Sequence, residues 1–108
     1  MSGELRLSQQ GLKILKAFVE VQSENVRAEI SGADVMRRAK LSSGTVYPLL
    51  LRFEEKGILQ SRWERRRPQA LQRPRRRLYR LTALGATRAR EELTSLMPKT
   101  GLLVPSEG

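Results

Sequence analysis

The 108-residue chain has no cysteine and no histidine. Without thiols there can be no disulfide, thiolate zinc site or cysteine nucleophile, and without imidazole there is no histidine acid, base or metal ligand. Catalysis would have to rest on carboxylates, serines and lysines. No grouping of these resembles an acid/base pair or an activated nucleophile, and no phosphate-cradling loop or dinucleotide fingerprint is present. An enzyme is therefore not expected, nor is a metal or other cofactor. Long apolar runs are missing too: no stretch approaches the ~20 residues that span a bilayer. Arg6, Gln9, Gln10 and Lys13 interrupt the early residues where a secretory signal would be continuous and apolar. The expectation is a soluble, cytoplasmic protein with no membrane partner, and the lack of cysteine fits a reducing compartment.

Hydrophobic residues make up 39 % of the chain, enough for one ordinary globular core at this length. The formal net charge is +10, from 21 basic and 11 acidic residues. Between Arg62 and Arg80 lie nine arginines and a single acid, Glu64, a local charge of +8. The rest of the chain holds 12 basic and 10 acidic residues, only +2. One segment thus carries nearly all of the field, and a concentrated basic segment points to a polyanion, most often nucleic acid.

Apolar spacing predicts a first helix over residues 7–22, with Ser8 as N-cap and Leu12, Leu15, Phe18 and Val19 on one stripe. Ile14, Ala17 and Val21 form a second stripe, roughly opposite. A helix with two apolar faces is either central to its own core or shared with a partner, and both readings stand. Ile30 suits a short strand, and Ser31 and Gly32 open a second helix to about Lys40. A third helix starts at Ser42 or Ser43 and ends before Gly57, placed for a left-handed C′ residue. At ~100° per residue, Val46, Leu49, Leu50 and Phe53 share its buried face, while Gly44, Pro48, Leu51 and Glu55 lie opposite, flanked by Thr45, Tyr47 and Arg52. Pro48 deletes a backbone donor inside the helix and predicts a kinked or widened first turn. Ile58–Glu64 and Arg76–Leu81 alternate like half-buried strands around an extended tip, residues 65–75. Thr82 caps a last helix in which Ala86, Ala89, Leu93 and Leu96 keep a three-four spacing, ended by Pro98. The order α-α-α-β-β-α is that of a winged helix-turn-helix, mainly α with a small β-hairpin. Residues 1–97 are expected to form this domain, including a terminal dimerisation helix, and residues 98–108 a flexible tail.

The run Leu41-Ser42-Ser43-Gly44-Thr45-Val46-Tyr47-Pro48-Leu49-Leu50, continuing through Phe53-Glu54-Glu55-Lys56-Gly57-Ile58-Leu59, resembles the recognition-helix signature of PadR-like transcriptional regulators. The likeness resumes at Trp63-Glu64 and at Tyr79-Arg80-Leu81-Thr82 with Gly85. The resemblance implies a homodimeric transcription factor, usually a repressor, that binds an inverted-repeat operator in double-stranded DNA. The third helix would enter the major groove and the wing would reach flanking backbone or minor groove. The first and last helices would pair protomers, through Ile14, Ala17 and Val21 and through Ala86, Ala89, Leu93 and Leu96. The sequence identifies no small-molecule effector. Leu51 stands where the family commonly has a basic residue, the wing is richer in arginine than the family pattern, and the shortness of the chain resembles the short subfamily.

Candidate DNA-binding residues follow. Ser42, Ser43, Gly44 and Thr45 offer small hydroxyls and open N–H groups at a helix start, against the plainer reading of simple capping. Tyr47 and Pro48 lie beside them, and Arg52 suits a phosphate or guanine as well as a neighbouring acid on its own helix. In the wing the candidates are Arg65, Arg66, Arg67, Arg73, Arg75, Arg76 and Arg77. Trp63 reads as packing at the wing base rather than as a stacking platform. Six to eight phosphate contacts would give log K against log salt a slope of about −5 to −7. Two other classes compete: an adaptor that uses the winged-helix shape to bind a protein, such as an anti-repressor, and a non-specific nucleic-acid binder in which the third helix is inert.

Overall fold

The computed structural model describes residues 7–95. The expected tail, and Leu96, lie outside the described residues. Helix α1 (Gln9–Glu24) starts at Ser8, whose hydroxyl accepts the Gly11 N–H at 3.1 Å. It has two apolar stripes because it is central: Ile14 and Leu15 are fully buried, and Ala17, Phe18 and Val21 nearly so. Strand β1 (Ile30–Ser31) leads directly into α2 (Gly32–Ala39). Ser31 ends the strand and caps the helix at once, in a reciprocal box with Asp34. Burial pushes the Asp34 carboxyl up, but hydrogen bonds from Ser31 and the Arg37 guanidinium outweigh it and hold it below the usual range. Lys40, left-handed at φ 58°, turns the chain into α3 (Ser43–Glu55), which runs unbroken through Pro48.

At the end of α3, Ile58 N–H donates to the Phe53 carbonyl at 2.8 Å and Gly57 N–H to Glu54 at 3.0 Å, with Gly57 at φ +77°. This Schellman closure throws the chain into β2 (Leu59–Trp63). Strand β3 (Arg77–Leu81) returns antiparallel to it, Leu59 opposite Leu81 and Trp63 opposite Arg77. Ile30 and Ser31 pair on the other edge of β3, giving the sheet order β1-β3-β2. The tip is not wholly extended as the sequence suggested. Pro68–Leu71 form one helical turn, α4, whose Ala70 and Leu71 N–H groups bond the Arg67 carbonyl. Proline's fixed φ suits the first position of such a turn.

Helix α5 (Ala83–Ser95) is capped by the Thr82 hydroxyl, which accepts the Gly85 N–H at 2.9 Å. Thr82 N–H in turn donates to the Ile58 carbonyl at 3.0 Å. A Cβ on Gly85 would lie 1.9 Å from that carbonyl oxygen, so glycine is what lets α5 touch the root of the wing. One core joins these elements: Phe18 of α1, Val35 of α2, Val46, Leu50 and Phe53 of α3, Leu59, Tyr79 and Leu81 of the sheet, and Ala89 of α5. The architecture is the winged helix-turn-helix expected, mainly helical with a small antiparallel sheet. Among the described residues no helix is long and apolar enough to cross a membrane.

Candidate nucleic-acid interface

The buried face of α3 holds Val46, Leu50 and Phe53, with Leu49 half-buried at its margin. With this face fixed in the core, Ser42, Ser43, Gly44, Pro48, Arg52 and Glu55 are turned outward and exposed. Tyr47 is 46 % exposed and Leu51 58 %, while Thr45 is half-buried. Helices α1, α2 and α5 each receive a side-chain cap, from Ser8, Ser31 and Thr82. The start of α3 does not: Ser42 makes no capping bond, its hydroxyl lying 3.5 Å from that of Thr45. Simple capping therefore does not account for either serine. Four donors at a helix start lack intrahelical partners, and with no cap those of Ser43 and Gly44 stay open to an acceptor from outside.

Tyr47 is set by a glycine on the neighbouring helix. Its ring and hydroxyl come within 2.5–2.7 Å of where a Gly32 Cβ would sit, so the bare backbone at the start of α2 makes the space it occupies. Beside it opens a cleft of about 400 Å³ between Gly32, Tyr47, Trp63 and arginines 75, 76 and 77.

The wing's arginines are not equivalent, and this is where the sequence misled. Read as one concentrated basic segment, the stretch in fact splits: Arg80, at its end, donates to the Val26 carbonyl at 3.3 Å, and the other eight fall into two sets. Arg62 forks onto Glu29 at 2.6 and 2.9 Å. Arg73 forks onto Glu64 at 2.8 and 3.0 Å. Arg77 donates to Ser61 Oγ at 2.9 Å, lies 3.6 Å from Glu54 and stacks 5.2 Å from the Trp63 ring centroid. Ser61 itself donates to Glu54, so a polar chain ties β2 and β3 back to α3. Arg73 and Arg77 thus serve the wing's own structure first. The second set is exposed: Arg65, Arg66, Arg67, Arg75 and Arg76. Among the described residues Arg65, Arg66 and Arg67 have no acidic partner, and Arg75 Nε donates 2.9 Å to the Arg66 carbonyl across the loop.

Trp63 is 54 % exposed on the wing surface, with the Arg77 guanidinium over its ring, so it is more open than packing at the wing base implies. Sequence reasoning also missed Glu64 as a hub. Arg73, then the Arg76 N–H, hold its carboxyl down from the ordinary 4.5 to about 2, against the opposing effect of desolvation. The only signal was its being the lone acid in a basic stretch.

The residues expected to pair protomers divide in the same way. Ile14, Ala17 and Val21 are buried in the protomer's own core, as the central-helix reading of the second α1 stripe has it, and Ala89 of α5 is buried there too. Ala86 and Leu93 remain half-buried on α5.

A profile of the transcriptional regulator PadR-like family matches residues 7–91. The fold is similar to a putative DNA-binding protein from Ralstonia eutropha JMP134 (TM-score 0.63, 20 % identity, 81 % of this chain and 98 % of that one). It is also similar to a PadR family transcription regulator from Clostridium difficile R20291 (TM-score 0.60, 22 % identity, 78 % and 84 %). A third likeness is to Staphylococcus aureus MepR, solved as a DNA complex (TM-score 0.64, 17 % identity, 89 % and 68 %). The chain spans 55 % of the length of another similar protein, Lactococcus lactis ZitR. No curated protein sequence matches.

Proposed function

Since the chain belongs to the PadR-like family of transcriptional regulators, we propose that it binds duplex DNA in a sequence-specific way as a homodimer on an inverted-repeat operator, acting as a repressor. The observation that carries this reading is a pair of exposed features that meet at the cleft lined by Tyr47 of α3 and by Arg75 and Arg76 of the wing. One is the uncapped start of α3, with Ser42, Ser43, Gly44, Thr45, Tyr47, Pro48 and Arg52. The other is the exposed arginine set of the wing. In such an arrangement the helix start reads base edges in the major groove, and the wing holds phosphates. Leu51 and the scarcity of cations on α3 shift affinity onto the wing. With Arg73 and Arg77 committed to internal partners, five of the candidate wing arginines per protomer remain for phosphate, so the wing's share of the salt slope is expected to be about −4 to −5 per bound protomer.

In this reading two copies pair through α5 and the turn that follows α1. Val26 of that turn and Leu84 of α5 are 69 % and 49 % exposed, Val26 and Ala86 line one cleft, and Ala86 and Leu93 are half-buried. The competing class, a winged-helix adaptor that binds protein instead of DNA, is separated by neutralising the wing. Replacing Arg65, Arg66 and Arg67 together by Ala should weaken duplex binding at least ~100-fold at low salt and flatten its salt dependence. Duplex affinity and slope equal to the wild type would sink the proposed role of the wing.

A further inference from the structure

Glu64 is the one acid between Arg62 and Arg80, and it sits where the two strands of the wing diverge. Trp63 opposite Arg77 is the last registered pair of the β2–β3 ladder. One step further, Glu64 N–H still reaches the Arg76 carbonyl at 2.9 Å. The side chain of the same residue then grips the returning leg. Its Oε1 accepts from Arg76 N–H at 2.9 Å, and its two oxygens take both arms of the Arg73 guanidinium at 2.8 and 3.0 Å. Residues 65–72 are thereby closed into a loop, which the Arg75 bond to the Arg66 carbonyl crosses once more.

We propose that Glu64 is a positioning residue for DNA binding: its carboxylate clamps the outgoing and returning legs of the wing so that Arg65, Arg66, Arg67, Arg75 and Arg76 meet the phosphate backbone as one preorganised set. The proposal rests on the DNA-binding reading of the wing. Five guanidinium groups so close in sequence repel one another, and an unclamped loop would spread them. Binding would then have to order that loop, which costs conformational entropy at the moment of association. A bidentate carboxylate–guanidinium pair with an added backbone donor fixes distance and orientation together.

The clamp makes a prediction opposite in sign to simple charge counting. Glu64 is negative and repels phosphate, so on Coulombic grounds alone its removal should tighten binding. If it positions the arginines, its removal should loosen binding although the net charge rises by one.

The test measures binding of the full chain to a random-sequence duplex by fluorescence anisotropy across a salt series. This reads phosphate contacts and needs no operator. Glu64→Gln preserves shape and removes the charge. The expected result is affinity lower by about fivefold or more and a salt slope shallower by about one unit, with circular dichroism and melting showing a folded protein. A purely structural loss would lower the active fraction without changing the slope. The double variant Glu64→Gln, Arg73→Gln restores the wild-type net charge and should bind no worse than Glu64→Gln alone, because both members act through one clamp. Equal or tighter binding by Glu64→Gln at an unchanged slope would overturn the proposal, as would additive losses in the double variant. Absence of duplex binding by the wild type would overturn the DNA-binding reading itself, which keeps the two failures apart.

Discussion

Two glycines that look alike in sequence are held for opposite reasons. At Gly85 an added Cβ would lie 1.9 Å from the Ile58 carbonyl oxygen and 2.7 Å from its carbon. Backbone on both sides leaves nothing flexible to yield. Gly85→Ala should therefore cost about 2–3 kcal/mol, read as a lower urea midpoint, and an unchanged midpoint would show that α5 can shift. At Gly44 the nearest atom to an added Cβ is the Ser42 hydroxyl at 4.0 Å, and the residue lies in the exposed first turn of α3. Alanine there should raise stability by up to ~1 kcal/mol, since it restricts the unfolded chain and favours helix. If bare backbone is kept at this position for close approach to DNA, the same variant should bind duplex more weakly. Gain of stability without loss of affinity would remove Gly44 from the interface.

Among the elements, α1, α2, α3 and α5 were legible because each shows helical apolar spacing and a hydroxyl or glycine signal at an end, such as Ser8, Ser31, Gly57 and Thr82. The strands were legible by alternation, and the exposed face of α3 by elimination once Val46, Leu50 and Phe53 were assigned to the core. The wing was not, because its organisation depends on long-range ion pairs. Nothing local in the sequence tells Arg62 that Glu29 lies across the sheet, or Arg77 that Glu54 waits on α3. The exposure of Trp63 was hidden for the same reason, whereas the turn at Pro68 is local and too short for apolar spacing to mark it. The wing should also answer to acid. Because the Glu64 carboxyl is lowered from 4.5 to about 2, its contribution to wing order is present in full above pH ~4.5 and is lost as pH falls toward 2. Trp63, next in sequence and stacked under Arg77, should report this as a change in emission across that window, absent in Glu64→Gln. An identical acid transition in both proteins would show that Glu64 does not order the wing.

At the scale of the whole molecule, the proposed function requires two recognition helices at a fixed separation. The α1 stripe first offered for pairing is spent on the protomer's own core, so substitutions at Ile14 or Ala17 would unfold the chain rather than separate two copies. Leu93 on α5 is the cleaner probe. Leu93→Glu should move the protein from dimer to monomer in sedimentation while its fold persists, and a wild-type protein already monomeric would contradict pairing through this helix. A dimer that places α3 in successive major grooves on one side of the duplex needs half-sites centred about 34 Å apart, or a multiple of that. The most direct measurement is therefore selection of the wild-type protein's ligands from a pool of random duplexes, followed by sequencing of the bound fraction. The account predicts an enriched inverted repeat with that spacing, weakened by Thr45→Ala. A bound pool with no preferred sequence would contradict it.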